Sequence, residues 1–420
     1  MFRTGTQFMI LLLLAGLALN MQSRQEPLAS WDNAFADFLA MNSRRHVAAS
    51  APIVLVEIDD NNLANKPWPW TPLDFTLFFR AALPQQPDVL AIDEVLDWNR
   101  FALPEEHQRT LPQYETVLRD YILRSPRVLL GAELGYPPDP EVIPALQQVP
   151  LLRNVKGSLR EIPEFTAVEA EPSENFRLSS TIGFTNLPAN HRRFNSVPLV
   201  FNYRGQITPS FTLQAVMLWA KLTPDDITVQ TGSYVALGDK IRIPIDSAGR
   251  MRVDFGSPRP APFSLQDLNL AYEQSQAGRK PKIPLGQIKN SILLLSRTDE
   301  AAKTLSFATG RNGSPGQLFA AAIATIQNQS FIRPSPLWAN GAILAAFTIL
   351  SAFVPRRKKL GTIVLGIIAL TVYGMIAMAV FNRWLIYLPF VPPVGMVLVF
   401  ILIRLSTPNP NKRLKKPVIF

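Results

Sequence analysis

The chain has 420 residues, 47% of them hydrophobic and 18% charged, with a formal charge of +10, no cysteine and three histidines. Its length holds one large or two ordinary domains, and the missing cysteines exclude disulfides, thiolate metal sites and cysteine nucleophiles. Charge position excludes a nucleic-acid-binding face: residues 337–420 carry ten basic residues and no acid, residues 1–22 carry only Arg3, and 23–336 hold 31 basic against 32 acidic residues. Basic residues flanking apolar runs are membrane topology signals. His46, His107 and His191 are too scattered to suggest a metal cluster, and no cofactor is expected.

Phe8–Leu19 is an unbroken apolar run behind Arg3, matching a membrane helix or the core of a signal peptide. Cleavage at Gly16-Leu17-Ala18 would shorten the run to about eight residues, so 1–22 reads as an uncleaved anchor. Trp31, Phe35, Phe38 and Leu39 then recur at helical spacing. They predict an amphipathic helix leading off the membrane, its apolar face on the following domain. Asp37 and the Arg44/Arg45 pair either form ion pairs there or, the more frequent outcome, lie on a solvated face.

Ile53–Ile58 and Val89–Ile92 are short apolar runs ending in Asp59/Asp60 and Asp93/Glu94. Between them lie a Trp68-Pro69-Trp70 corner and a helix opened by Pro72, with Leu73, Leu77, Phe78 and Ala81 on one side. Strand, helix and strand in that order predict a βαβ unit with the two strands as neighbours. A helix over about Gln113–Arg124 and a strand at Arg127–Leu130 follow, then long excursions with little regular structure from Gly135 to Ser180. Ile182–Thr185 and Val197–Phe201 read as strands around a polar loop, and Pro209–Lys221 as a helix. Closely spaced strands near Val229, Val235–Leu237, Ile241–Ile243 and Met251–Phe255 suggest antiparallel hairpins. Ile292–Leu295 reads as a buried strand and Gln317–Gln327 as an Ala-rich helix. The fold class is therefore α/β, a mixed sheet with added hairpins in one extracytoplasmic domain, 23–333.

Three apolar runs, Leu337–Val354, Leu360–Phe381 and Trp384–Ile403, each have spanning length, and together occupy 334–404. The Pro355–Lys359 loop and the Lys412–Lys416 cluster mark the cytoplasmic side. Counting back places Arg383 and the α/β domain outside and Arg3 inside. Four spans satisfy every charge signal, with 405–420 as a short cytoplasmic tail.

The acidic strand ends lie where open parallel sheets place ligands. Carboxylates converging there hold Mg²⁺ or Ca²⁺ or act as an acid–base pair; alternatively they cap the following turns and helices. Asp59, Asp60, Asp93, Trp68 and Trp70 are the candidate ligand-binding residues. The tryptophans serve either core packing or ligand stacking. No Ser/His/Asp order or Gly-rich phosphate loop gives a catalytic residue, and Asn312–Gly316 lacks the Lys-Ser/Thr ending of a phosphate motif.

The stretch IVLVEIDDNNLANKPWPW, followed by a helix and VLAIDEVL, resembles the type-two CHASE domain, an extracellular sensory module found with bacterial cyclases and kinases. Asp37 before Arg44, Ile182 to Asn186, Arg192/Arg193 before Val197-Pro198-Leu199, Pro209-Ser210-Phe211, Pro315-Gly316 and three closing spans agree. The resemblance covers about 23–403. It departs at Thr71-Pro72, where Pro-Arg is common, at Ser296, where glycine is usual, and at Leu318 and Ala320, where Glu and His often stand. Family members usually continue into a cytoplasmic output domain, whereas about 17 residues follow the last span here.

The resemblance implies a multi-pass sensor of a bacterial inner membrane, not an enzyme. Its outer domain would bind a small molecule or partner protein and signal through a separate effector, as a monomer or homo-oligomer in the lipid bilayer. An envelope assembly protein without signalling and an extracytoplasmic hydrolase are the alternatives.

Overall fold

The computed structural model describes residues 13–14, 16–18, 21, 28–43, 49–101, 105–136, 149–188, 193–352 and 359–406. The chain divides into an α/β unit, Val47–Phe331, and a helical unit formed by Met1–His46 with Ile332–Phe420. The first fully described helix, α1 (Leu28–Asn42), belongs to the helical unit.

The α/β unit runs in chain order through β1 (Ile53–Ile58), α2 (Asp60–Asn65), α3 (Pro72–Ala82), β2 (Val89–Ile92), α4 (Glu105–Arg124) and β3 (Val128–Gly135). β4 (Ala167–Ala170), β5 (Thr181–Phe184), α5 (Phe211–Trp219), β6 (Phe263–Ser264), α6 (Leu265–Gln276), β7 (Ile292–Arg297) and α7 (Pro315–Gln327) follow. The main sheet has the order β6-β1-β7-β2-β3-β4, with β5 also paired to β3. All these pairings are parallel except β3 with β4. β1 and β2 are thus not neighbours: β7, from far along the chain, lies between them. Its sequence ILLLSR is apolar on both faces, the composition of a strand at the centre of a covered parallel sheet.

Alternation divides the core. Val54, Val56, Ile58, Leu90, Ile92, Leu293 and Leu295 pack with Phe75, Phe78 and Phe79 of α3, Leu118 and Ile122 of α4 and Leu268 of α6. On the opposite face Ile53, Leu55, Ala91 and Leu294 pack with Phe211 and Val216 of α5 and Leu318, Phe319 and Ile323 of α7. This is the period-two pattern of a sheet covered on both sides.

α3 starts where the sequence places it. Thr71 is the N-cap, Pro72 occupies the first turn, and Thr71 N and Oγ1 both donate to Asp74 Oδ2 at 2.8 Å. Its buried face differs in part from the expected one. Phe78 and Ala81 are buried as expected, together with Phe75, Phe79 and Ala82, while Leu73 and Leu77 are exposed. Two stripes fit the helical period, and the bulkier phenylalanines take the core because they bury more apolar area. Phe79→Ala should therefore cost about 3–5 kcal/mol in denaturant unfolding, and Leu73→Ala about 0.5 kcal/mol. The opposite ranking would put the Leu stripe in the core.

α4 starts at Glu105 rather than near Gln113 and contains Pro112; its acidic start suits a helix N-terminus. Strands Ile227–Gln230, Tyr234–Leu237 and Ile241–Pro244 form the expected hairpins. Arg250–Arg252 instead pairs with Ser196–Pro198. Within 149–180 the chain adds strands Asn154–Lys156 and Glu164–Phe165 and helix Glu174–Arg177, more regular structure than expected.

The helical unit closes with α8 (Leu337–Ala352), α9 (Lys359–Trp384) and α10 (Val391–Ser406). Among the described residues only Gly361–Trp384 is long and apolar enough to cross a membrane; Leu337–Ser351 and Val391–Ile403 are shorter apolar helices. α10 starts late because Phe390 N and Val391 N donate to Asp32 Oδ1 of α1, at 2.7 and 2.8 Å, fixing its N-terminus there. Phe35 and Leu39 of α1 pack with Tyr373, Ala377, Phe381 and Leu388. The buried face of α1 therefore belongs to the helical unit, where its apolar partners are, and not to the α/β domain as expected. The Tyr373 hydroxyl donates to Pro389 O in the same cluster. Arg44 and Arg45, the candidate ion-pair partners of Asp37, lie outside the described residues.

Candidate functional site

The carboxyl ends of β1, β7, β2 and β3 bring side chains from four distant stretches together. Alternation decides which face each one takes. Glu57, Ser296 and Asp93 follow the residues under α7, and Arg297 and Glu94 follow those under α3 and α4.

On the α7 face, the buried Ser296 donates to Asp93 Oδ2 at 2.7 Å. Asp93 Oδ1 is buried with no hydrogen-bond partner. Burial, and then the neighbouring Glu94, push the Asp93 carboxyl well above the usual carboxylate range, while the Ser296 hydroxyl pulls it back. The first turn of α7 closes over this pair. A Cβ on Gly316 would stand 2.0 Å from Ser296 Oγ and 3.1 Å from Asp93 Oδ2, so only glycine permits the approach. Gln317 Nε2 donates to Glu57 Oε1 at 2.9 Å, and Ser314 Oγ caps the helix at Gln317 N.

On the other face the Arg297 guanidinium lies 4.2 Å from the Trp68 ring centroid, a cation–π contact. It also makes a bidentate pair with the buried Asp299, at 2.9 and 2.8 Å. Burial raises the Glu94 carboxyl; Arg297 lowers it, and Glu133 and Asp299 raise it. Arg100 pairs with Glu133 at 3.8 Å on the rim.

The five candidate residues fall into different places. Asp93 and Trp68 are at the centre of the cluster. Asp60 Oδ1 accepts from Glu300 N at 3.1 Å, next to the cluster. Asp59 caps α2 in a reciprocal box with Asn62, at 3.0 and 3.1 Å. Trp70 is buried against Phe75, donates to Lys66 O at 2.9 Å and accepts at its carbonyl from Trp98 Nε1 at 2.6 Å. The Trp68–Pro69 peptide is cis. Among the described residues no group of His, Cys, Asp or Glu is arranged to hold a metal ion.

Sequence reading missed Arg297, Asp299, Glu57, Glu133 and Gln317. Two of them left a signal: Glu57 is the one charge in the apolar run of β1, and Arg297 follows a fully buried strand and turns to the opposite face from Ser296.

The CHASE2 domain family model matches residues 9–354, most of the chain. The chain belongs to the CHASE2 domain family. CHASE2 domains are extracellular sensory domains of membrane proteins. No curated protein and no solved structure matches the chain. Leu318 and Ala320, where the CHASE2 resemblance leads one to expect Glu and His, are buried in the α7 core, so α7 offers no charged group there.

Proposed function

We propose that this CHASE2 chain is a sensory subunit of a bacterial inner membrane, with its α/β unit outside the cytoplasm. Four spans hold it: the Phe8–Leu19 run, α8, α9 and α10. The observation that carries this reading is the family match, which begins within the N-terminal apolar run and ends after α8. Gly16 supports a retained N-terminal helix, because it is buried, with its Cβ position 2.7 Å from Met396 Sδ and 3.2 Å from Leu344 Cδ2. α8 and α10, at 16 residues each, rise about 24 Å, a shortfall that local bilayer thinning and flanking side chains accommodate.

The ligand edge comprises Asp93, Glu94, Trp68 and Arg297, with Asp59, Asp60 and Trp70 shaping its surroundings. α7 contacts this edge through Gly316 and Gln317, and the chain enters α8 soon after α7 ends. A ligand that favours one placement of α7 would therefore bias the membrane helices, and through them a separate effector protein.

The test is crosslinking in the native membrane followed by purification of the tagged full-length protein. A stoichiometric kinase, cyclase or membrane-bound transcription regulator is expected. Recovery of envelope components alone would replace this reading with the second one, an assembly protein that keeps the fold. That second reading draws on the internal engagement of Asp59 and Trp70 and on the apolar Leu318 and Ala320.

A further inference from the structure

α1 carries two apolar faces. Ala36 and Leu39 are buried on one, while Trp31, Phe38 and Met41 recur at helical spacing on the other and are exposed. A second apolar stripe on a helix already packed in a bundle calls for an apolar surrounding.

Backbone ties place Trp31 at the same end of the helical unit as two other exposed tryptophans. Asp32, beside Trp31, binds the amides that open α10. Arg333–Pro334 pairs with Ile386–Tyr387, and Ser335 N donates to Tyr387 O at 3.0 Å. That pairing joins the segment entering α8 to the segment leaving α9, so Trp338, at the start of α8, and Trp384, at the end of α9, lie at the same end of the unit. Trp31, Trp338 and Trp384 are 61%, 76% and 63% exposed. Further along α9, Ile376, Val372, Ile368 and Val364 are exposed without an interrupting charge. Indole combines an apolar body with one N–H donor and settles at the boundary between acyl chains and headgroups. Arg383, exposed next to Trp384, suits the headgroup phosphates.

We propose that Trp31, Trp338 and Trp384 mark the outer lipid–water boundary, and that α1 lies against bilayer lipid along its Trp31–Phe38–Met41 face. This rests on the spanning arrangement above and extends it to a helix outside the four spans. Lipid is the occupant because three exposed indoles on three helices lie at the same end of the bundle, a pattern set by depth. A second copy would instead need one self-complementary patch.

The full-length protein in vesicles with acyl chains brominated at shallow or deep positions tests this. Shallow bromines should quench the emission most, and Trp31→Phe, Trp338→Phe and Trp384→Phe should each remove about a third of the quenchable signal, as expected for three indoles at one boundary depth. Spin labels at Phe38→Cys and Met41→Cys should be more accessible to oxygen than to a water-soluble nickel complex. Unchanged quenching in all three variants, nickel-accessible labels, or crosslinking between copies at position 338 would overturn the proposal. A label at Ile368→Cys separates the two readings. If it is lipid-exposed while the tryptophans are not, the belt fails and spanning stands; if it is water-exposed, spanning itself fails.

Discussion

Raising the pH should destabilise the full-length protein through Asp93, and Asp93→Asn should remove most of that loss. The folded state holds the Asp93 carboxyl above its ordinary 3.8, by burial first and by Glu94 second. A carboxyl raised on folding contributes stability that is fully present below the unfolded value and is lost as pH rises through the folded value. Each unit of elevation corresponds to about 1.4 kcal/mol lost once the group ionises. The groups around it do not reverse this sign: Glu94 adds negative charge beside it, and Arg297 is held by Asp299 on the other face. Asn keeps the shape and the acceptor for Ser296 without ionising. Thermal unfolding in nanodiscs between pH 5 and 9, roughly the window above ordinary carboxylate titration, should show a falling wild-type curve and a flatter Asp93→Asn curve. Glu94, also raised, should account for the remaining slope, which Asp93→Asn with Glu94→Gln removes. Parallel wild-type and Asp93→Asn curves would mean that Asp93 is not the titrating group.

This result bears on the proposed signalling route because Asp93 and Ser296 form the surface on which the first turn of α7 rests. A ligand that neutralises or displaces the Asp93 carboxyl would act on the same contact as a proton.

Local signals made part of this site legible. The apolar runs Ile53–Ile58, Val89–Ile92 and Ile292–Leu295 lie within observed strands, and Thr71-Pro72 begins the helix as its capping chemistry dictates. Long-range pairing was not legible. Nothing near Ile292 states that its strand enters between β1 and β2, yet that insertion brings Ser296 to Asp93 and Arg297 to Trp68. The acidic ends were visible as a pattern, but their partners lie some 200 residues away in the chain, at 296 and 297. On α3 the helical period fitted both the Leu73/Leu77 and the Phe75/Phe79 stripes, and only the packed sheet decided between them. For α1 the period was right and the partner was not, because amphipathicity shows that a face is buried without showing against what.

Gly316→Ala should be among the most damaging single-methyl changes in the α/β unit, and Ser296→Gly should rescue part of it. The added Cβ would meet Ser296 Oγ at 2.0 Å and Ser296 Cβ at 2.2 Å, and Ser296 is itself buried in the central strand. Neither side yields by rotating an exposed side chain, so the first turn of α7 must lift; overpacking of this kind costs about 1–3 kcal/mol. Removing the serine side chain eliminates both contacts and leaves Asp93 Oδ2 at 3.1 Å as the nearest obstacle. It also removes the hydroxyl that donates to Asp93, so the double variant should stay about 1 kcal/mol below the wild type. Denaturant midpoints of the wild type, both single variants and the double variant close the cycle. A negative coupling energy, the double variant being more stable than the sum of its parts, places α7 on the strand ends as described. Additive effects would mean that Gly316 and Ser296 do not touch, and that the proposed route from the acidic edge through α7 has no physical contact at its origin.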